Sequence, residues 1–280
     1  MRHGFTTMQA LALSLALAFL VLPVVAVFLQ VSPAAMLSQL GGDAATQAIV
    51  VSLRTNVIAD IVIVVVGTPA AWLLARHRSF PGRRVLVTLL ELPLVLPPAV
   101  AGIALLVTFG RNGLLGGQLD ALGVTIPFTE VAVVMAIIFV AGPFYLRQAI
   151  TTFESIDPRL VQAAATLGAG PWRTFRKVVL PLAMGGLAGG WALAFARGLG
   201  EFGATLIFAG SLPGVTQTLP LAIYSEMNRD LDTALAIGGL LIVVAALVLL
   251  AVKMIPSWNP TPSSPPPSAR RSATSPSTSR

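Results

Sequence analysis

Three ionisable residues sit where the surrounding sequence offers them no water: Asp60, Arg197 and Glu201. Each falls inside a long apolar run, where a charge at membrane depth costs at least ~2.5 kcal/mol, so each must face protein or a wet cavity. Arg197 and Glu201 stand four residues apart in "ARGLGEFGAT", on one face of a helix and in the intrinsically less favoured order. They can neutralise one another. Alternatively, Arg197 adds positive potential for a passing anion and Glu201 keeps it from binding too tightly. Asp60 has Arg197 or Arg54 as its candidate counter-charges. A proton relay through Asp60, Glu201 and Arg197 is the rival chemistry, that of an ion-coupled secondary transporter. Covalent and metal chemistry are disfavoured, because the chain has no Cys and its two histidines, His3 and His77, lie outside the apolar runs. No metal or cofactor is implied. Nowhere does G-x-x-x-x-G-K-[ST] occur, and Lys177 and Lys253 lack a glycine-rich loop to cradle phosphates, so the chain is not expected to bind ATP itself.

The elements that hold these residues are membrane helices. The 280 residues are 55% hydrophobic and 10% charged, against about 25% charged in soluble domains. Six stretches reach the ~20 residues needed to cross a bilayer: about 9–31, 46–75, 84–109, 128–150, 178–209 and 232–254. The chain therefore reads as an all-α polytopic membrane protein. The first stretch, "ALALSLALAFLVLPVVAVFL", is longer than the apolar core of a secretory signal and reads as a retained span. Of the 18 basic residues, all but Arg54, Arg111, Arg197 and Arg229 fall on one side when the amino terminus is cytoplasmic. That asymmetry places both termini in the cytoplasm and accounts for the net charge of +7 without a nucleic-acid partner. Residues 1–255 form one membrane domain, and 256–280, rich in Pro and Ser, read as a disordered cytoplasmic tail.

Within the spans, Pro93, Pro97 and Pro98 remove backbone donors and must bend or open the third helix, which is tolerable only beside protein or a water-filled cavity. They are pathway candidates with Arg197 and Glu201, and a simple kinked packing helix is the plainer alternative. Gly185 with Gly189 and Gly186 with Gly190 form overlapping small-xxx-small patterns for close helix approach. The stretch "FAGSLPGVTQTLPLAIYSEMNRDLD" reads as an external polar loop carrying a short helix from Leu219 to Met227.

Residues 155–181 face the cytoplasm in this topology. Asp157 is a good N-cap and Pro158 suits the first helical position, so a helix is predicted from there to about Leu167, stopped by Gly168 and Gly170. Leu160, Ala164 and Leu167 form a small apolar face, and a second short turn begins at Pro171. Arg173, Arg176 and Lys177 are available to membrane lipid phosphate or to an acidic partner. The segment is either a knob for a groove on another protein or a helix lying on the headgroups.

The stretch "QAAATLGAGPWRTFRKVVLP" resembles the cytoplasmic signature of ABC importer permeases: Glu-Ala-Ala, three residues, Gly, nine residues, Ile-x-Leu-Pro. It falls on Gln162, Ala163, Ala164, Gly168, Val178, Leu180 and Pro181 with every spacing intact. Gln162 stands where the signature has Glu, and Val178 where it has Ile. "LPLVLPPAVAG", "ARGLGEFGATLIFAG" and "PGVTQTLPLAIYSEM" look like the molybdate permease family, with sulfate permeases as nearest relatives and tungstate not separable. The resemblance implies an ABC type I importer transmembrane fold with six helices per chain, two copies forming the channel as a two-fold homodimer. It also implies two copies of a separate ATP-binding subunit docked on the cytoplasmic helix, an extracytoplasmic molybdate-binding protein, and a bacterial plasma membrane location.

Overall fold

In the computed structural model, which describes residues 2–254, every regular element is helical. The expected tail at 256–280 lies outside the described residues. Helix α1 (Arg2–Gln30) carries exposed Leu11, Phe19, Leu20 and Val21 around its circumference, a surface suited to lipid on all sides. A short α2 (Pro33–Leu40) follows, capped by Ser32, whose Oγ accepts from the Ala35 N–H at 3.3 Å.

The centre is built on α3 (Asp43–Arg76) and α7 (Glu130–Glu154). At 34 residues α3 is about 51 Å long, so part of it projects beyond the ~30 Å hydrocarbon layer. Its inward stripe is made of small residues, Ala45, Ala48, Ser52, Thr55, Ala59 and Gly67. From Ala59 onward α3 shares one core with Ala132, Ala136, Ala141 and Ala149 of α7. Lipid tails are as apolar as leucine, so helices in a membrane gain little by hiding large apolar groups and associate through close van der Waals approach. Gly67 shows the tightness: a Cβ there would come within 2.9 Å of the Tyr145 ring. The buried Tyr145 hydroxyl is matched by Thr68 Oγ1 at 2.6 Å.

Between them the chain does not run as one span. Helix α4 (Arg83–Glu91), a 3-10 turn at Leu92–Leu94 and α5 (Pro98–Phe109) replace the single helix expected at 84–109, and the two halves meet at 110°. Proline at 93, 97 and 98 removes three N–H donors; Pro97, the residue before Pro98, is extended at φ −55, ψ 136, whereas Leu92, before Pro93, stays helical at φ −51, ψ −42. Five described helices are long and apolar enough to cross a membrane, and six spans result when this bent pair counts as one. Helix α6 (Gly116–Ala121) lies in the connection to α7.

After α7 come α8 (Pro158–Thr166) and α9 (Pro171–Thr174). A π-helical turn at Phe175–Val179 then leads straight into α10 (Leu180–Leu199). The turn predicted at Pro171 is thus the start of the fifth membrane helix rather than a separate piece. Gly186 and Gly190 let α10 lie against α7, with Thr152 over the first and Gln148 Cβ 3.0 Å from a Cβ on the second. Helices α11 (Gly203–Ala209), α12 (Leu219–Glu226) and α13 (Leu231–Met254) complete the fold. A second small core, Ala45, Ala48, Leu199, Leu219, Ala222 and Ile237, ties α12 and α13 to the start of α3.

Candidate functional site

The fifth apolar stretch, expected as one helix over 178–209, is also interrupted. Helix α10 ends at Leu199 and α11 begins at Gly203. Arg197 therefore sits in the last turn of one helix and Glu201 in the break before the next, not on one continuous face. They pair all the same, Arg197 Nη1 to Glu201 Oε2 at 2.7 Å, with the arginine side chain 29% exposed and the carboxylate 1%. The second carboxylate oxygen accepts from the Ala204 N–H at 2.8 Å, satisfying a donor that the start of α11 would otherwise leave open. A buried carboxylate needs a counter-charge close by, and here Glu201 makes its ion pair through one oxygen and caps the start of α11 through the other.

This break faces the other one. A Cβ on Gly203 would lie 2.7 Å from Pro98 Cβ, and one on Gly102 would lie 2.8 Å from Ile207 Cβ. The two interrupted spans are thus in contact at their interruptions, which brings Pro97, Pro98, Arg197 and Glu201 into one region. Pro93 sits apart, in the 3-10 turn, where it lines a cavity of about 410 Å³ with Gly67, Leu90 and Phe139.

The structure adds a polar stripe that the hydropathy reading passed over. Ser52, Thr55, Asn56 and Asp60 are all buried on α3, and Thr205, Thr216, Gln217 and Thr218 are buried across from or beside it. A Cβ on Gly198 would lie 2.7 Å from Asn56 Oδ1, and Ser52 Oγ accepts from the Leu219 N–H at 2.7 Å. In the stretch expected as a polar loop with a short helix from Leu219, the helix is α12 (Leu219–Glu226), and residues 216–218 before it are buried. The spacing 52, 55, 56, 60 is a helical polar stripe within an apolar span, and that was the signal available.

Neither expected partner reaches Asp60: Arg54 pairs with Glu130 at 3.1 Å and Arg197 with Glu201. Asp60 instead lines a cavity of about 330 Å³ whose only other polar lining group is the Trp191 indole. No group of three or more His, Asp or Glu side chains capable of holding a metal occurs among the described residues.

The segment at 155–181 forms as its residues dictate. Asp157 Oδ1 accepts from the Arg159 N–H at 2.9 Å, Pro158 occupies the first turn, and α8 stops before Gly168, whose φ is +79. Val161 packs inward, whereas the predicted apolar face points outward, with Leu160 43% and Leu167 88% exposed. Gln162 and Ala163 are exposed and Ala164 is half-buried. Gly168 and the exposed residues thus form one surface, while Val178 and Leu180, half-buried, and Pro181, exposed, belong to the membrane helix. The segment is firmly seated. Trp72, Phe153 and Phe175 form an aromatic cluster with centroids 5.4 to 6.3 Å apart, and Trp172 stacks on Phe175 at 6.0 Å. Arg83 pairs with Glu154 at 2.6 Å, and Arg78 donates to the Glu154 carbonyl at 2.6 Å.

Residues 67–255 match the family model described as binding-protein-dependent transport system inner membrane component. The chain belongs to that family. It is a membrane transport subunit. Over 236 residues it is 44% identical to the molybdenum transport system permease protein ModB of Mycobacterium bovis, covering 84% of this chain and 88% of that protein. It is 35% identical over 211 residues to the probable sulfate transport system permease protein cysT of Chlorokybus atmophyticus, covering 75% and 73%. Among solved structures, a bacterial alginate ABC transporter in complex with an alginate pentasaccharide-bound periplasmic protein matches with a TM-score of 0.66 at 15% identity, over 88% of this chain and 92% of that one. The fold of the family's membrane component here is that of an ABC type I importer transmembrane domain.

Proposed function

We propose that this chain is the channel-forming subunit of an ATP-driven, binding-protein-dependent importer of molybdate. The observation that carries the reading is α8: its apolar residues Leu160 and Leu167 are exposed, while Val161 packs on the core and the helix rests against α9 and the π-helical turn that leads into α10. An exposed apolar face on a rigid mount suits a lever pushed by another protein. The signature spacing from Gln162 to Pro181 supports docking on a separate ATP-binding subunit, two copies serving two protomers of a homodimer. With Gln162 in place of Glu, that docking rests on shape more than on charge.

Closure of the motor subunits draws the paired α8 helices together, and the continuous helix from Pro171 to Leu199 carries the displacement to the α10–α11 break. There the bend at Pro97 and Pro98 and the Arg197–Glu201 pair meet, and the partly exposed guanidinium offers positive potential to an anion without a bare, tightly binding charge. An extracytoplasmic molybdate-binding protein delivers the anion, in a bacterial plasma membrane with both termini cytoplasmic. The 44% identity to a molybdenum-named relative favours molybdate, and the 35% identity to a sulfate-named one makes sulfate the second reading, with tungstate inseparable from molybdate by charge and shape.

The test is reconstitution of the chain with its ATP-binding subunit and binding protein, measuring radiolabelled molybdate uptake for wild type and Gly168→Val. A side chain at a φ of +79 distorts the end of α8, so ATP-dependent uptake should fall severalfold while the protein remains folded. Full uptake in the variant sinks the lever. Competition with unlabelled tungstate and sulfate assigns the anion.

A further inference from the structure

Between the end of α3 and the start of α8 lies a cavity of about 390 Å³. Arg76, Arg78 and Ser79 line it from the first side, Gln162 from the second, and Trp72 and Phe153 from the membrane-proximal wall. No carboxylate lines it. The charges are correspondingly unbalanced. Arg78 donates to the Glu154 carbonyl at 2.6 Å and the Ala75 carbonyl at 3.4 Å, neither of which carries a charge. The Glu154 carboxylate is taken by Arg83 at 2.6 Å. Arg76 makes no ion pair among the described residues. Two guanidinium groups thus share a partly apolar hollow with a hydroxyl and an amide that can both donate. Gln162 occupies the one lining position where the signature would place a carboxylate, and an amide there accepts an anion that a carboxylate would repel.

We propose that this cavity binds a phosphate-type oxyanion, held by Arg76 and Arg78 with Ser79 and Gln162 as neutral donors. Guanidinium forks match such oxygens in geometry as well as charge. The bound anion bridges the end of α3 to α8, so its occupancy sets how stiffly the lever is mounted. Two sources carry this chemistry: the headgroup of an anionic phospholipid, whose glycerol end would lie on Trp72 and Phe153, and a free inorganic oxyanion from the cytoplasm.

The full-length chain in detergent separates them. In one arm it is exchanged into phosphatidylcholine and phosphatidylglycerol of identical acyl chains, and native mass spectrometry counts the lipid retained. In the other, the delipidated chain is titrated with inorganic phosphate by calorimetry. Preferential retention of phosphatidylglycerol identifies a headgroup, and saturable phosphate binding identifies the free anion. In either case Arg76→Gln should weaken binding about tenfold, while Arg111→Gln, remote from the cavity, leaves it unchanged. Indifference to headgroup together with no phosphate binding overturns the proposal, as does equal loss in the Arg111 variant. Neither arm involves ATP, so the outcome is independent of whether α8 is a lever.

Discussion

Gly203 stands against Pro98 at the place where two interrupted membrane helices cross, and a methyl group on the glycine would lie 2.7 Å from the proline Cβ. A proline ring cannot rotate away. The contact therefore defines how closely α5 and α11 approach and couples one break to the other. Gly203→Ala should lower stability by about 1–3 kcal/mol and slow transport further by separating the breaks. Thermal unfolding in detergent checks the first effect. Gly117→Ala, with open space around it, is the control expected to change stability by less than about 0.5 kcal/mol.

The Arg197–Glu201 pair should behave as a buried ion pair with a second duty. Glu201→Ala leaves the arginine unmatched and the Ala204 N–H uncapped, and should cost about 3 kcal/mol or more. Glu201→Gln keeps an acceptor for that N–H and should cost less. Combining it with Arg197→Gln should recover part of the loss, and a double-mutant cycle on the unfolding midpoint measures the coupling. Strict additivity of the two single changes would show that the charges do not interact.

At α8, Asp157→Ala removes the acceptor for the Arg159 N–H and should destabilise the first turn by about 1 kcal/mol, whereas Asp157→Ser retains most of the cap. Hydrogen exchange at the amides of residues 159 and 160 reports this directly. Faster exchange in the alanine variant alone is the expected result.

Asp230 gives a pH dependence. The Thr233 hydroxyl donates to its carboxylate at 2.7 Å, and the Thr233 and Asp232 N–H groups donate at 3.3 and 3.1 Å. These bonds, the hydroxyl foremost, hold its pKa below the ordinary 3.8. A carboxylate whose folded pKa is depressed adds stability above its unfolded pKa and loses it as the pH falls through the folded value. Protection of the Thr233 amide should therefore be constant at neutral pH and decline only below the usual carboxylate range. In Asp230→Asn, protection should be lower at neutral pH and flat across the same interval.

How much of this was legible beforehand differs from element to element. The start and stop of α8 were readable because the Asp157 cap, Pro158 and the left-handed Gly168 act within one or two turns of backbone. The bend in the third span was readable for the same reason, since a proline's missing N–H is a local fact; its 110° angle was not, because packing of α5 on α11 selects it. The break after Leu199 escaped notice because its apolar flanks read as one run, and a glycine is compatible with helix or turn until a neighbour chooses. The burial of 216–218 is not legible either, because polarity in a sequence does not distinguish side chains bonded to protein, as Thr216 Oγ1 is to the Leu212 N–H and Gln217 to Ser225, from side chains bonded to water.

The sequence by itself determined the membrane class, the extents of the apolar stretches, and the helix at 158–166 with its signature, since each depends on hydropathy or on contacts a few residues apart. Only the tertiary structure decided which charge meets which, Arg54 with Glu130 and Arg83 with Glu154 while Asp60 meets neither expected arginine, and which glycine admits which neighbour. Those pairings join residues more than 70 positions apart, and their partners are chosen by how helices of nearly uniform apolar surface fit together, a matter of shape that no local pattern encodes.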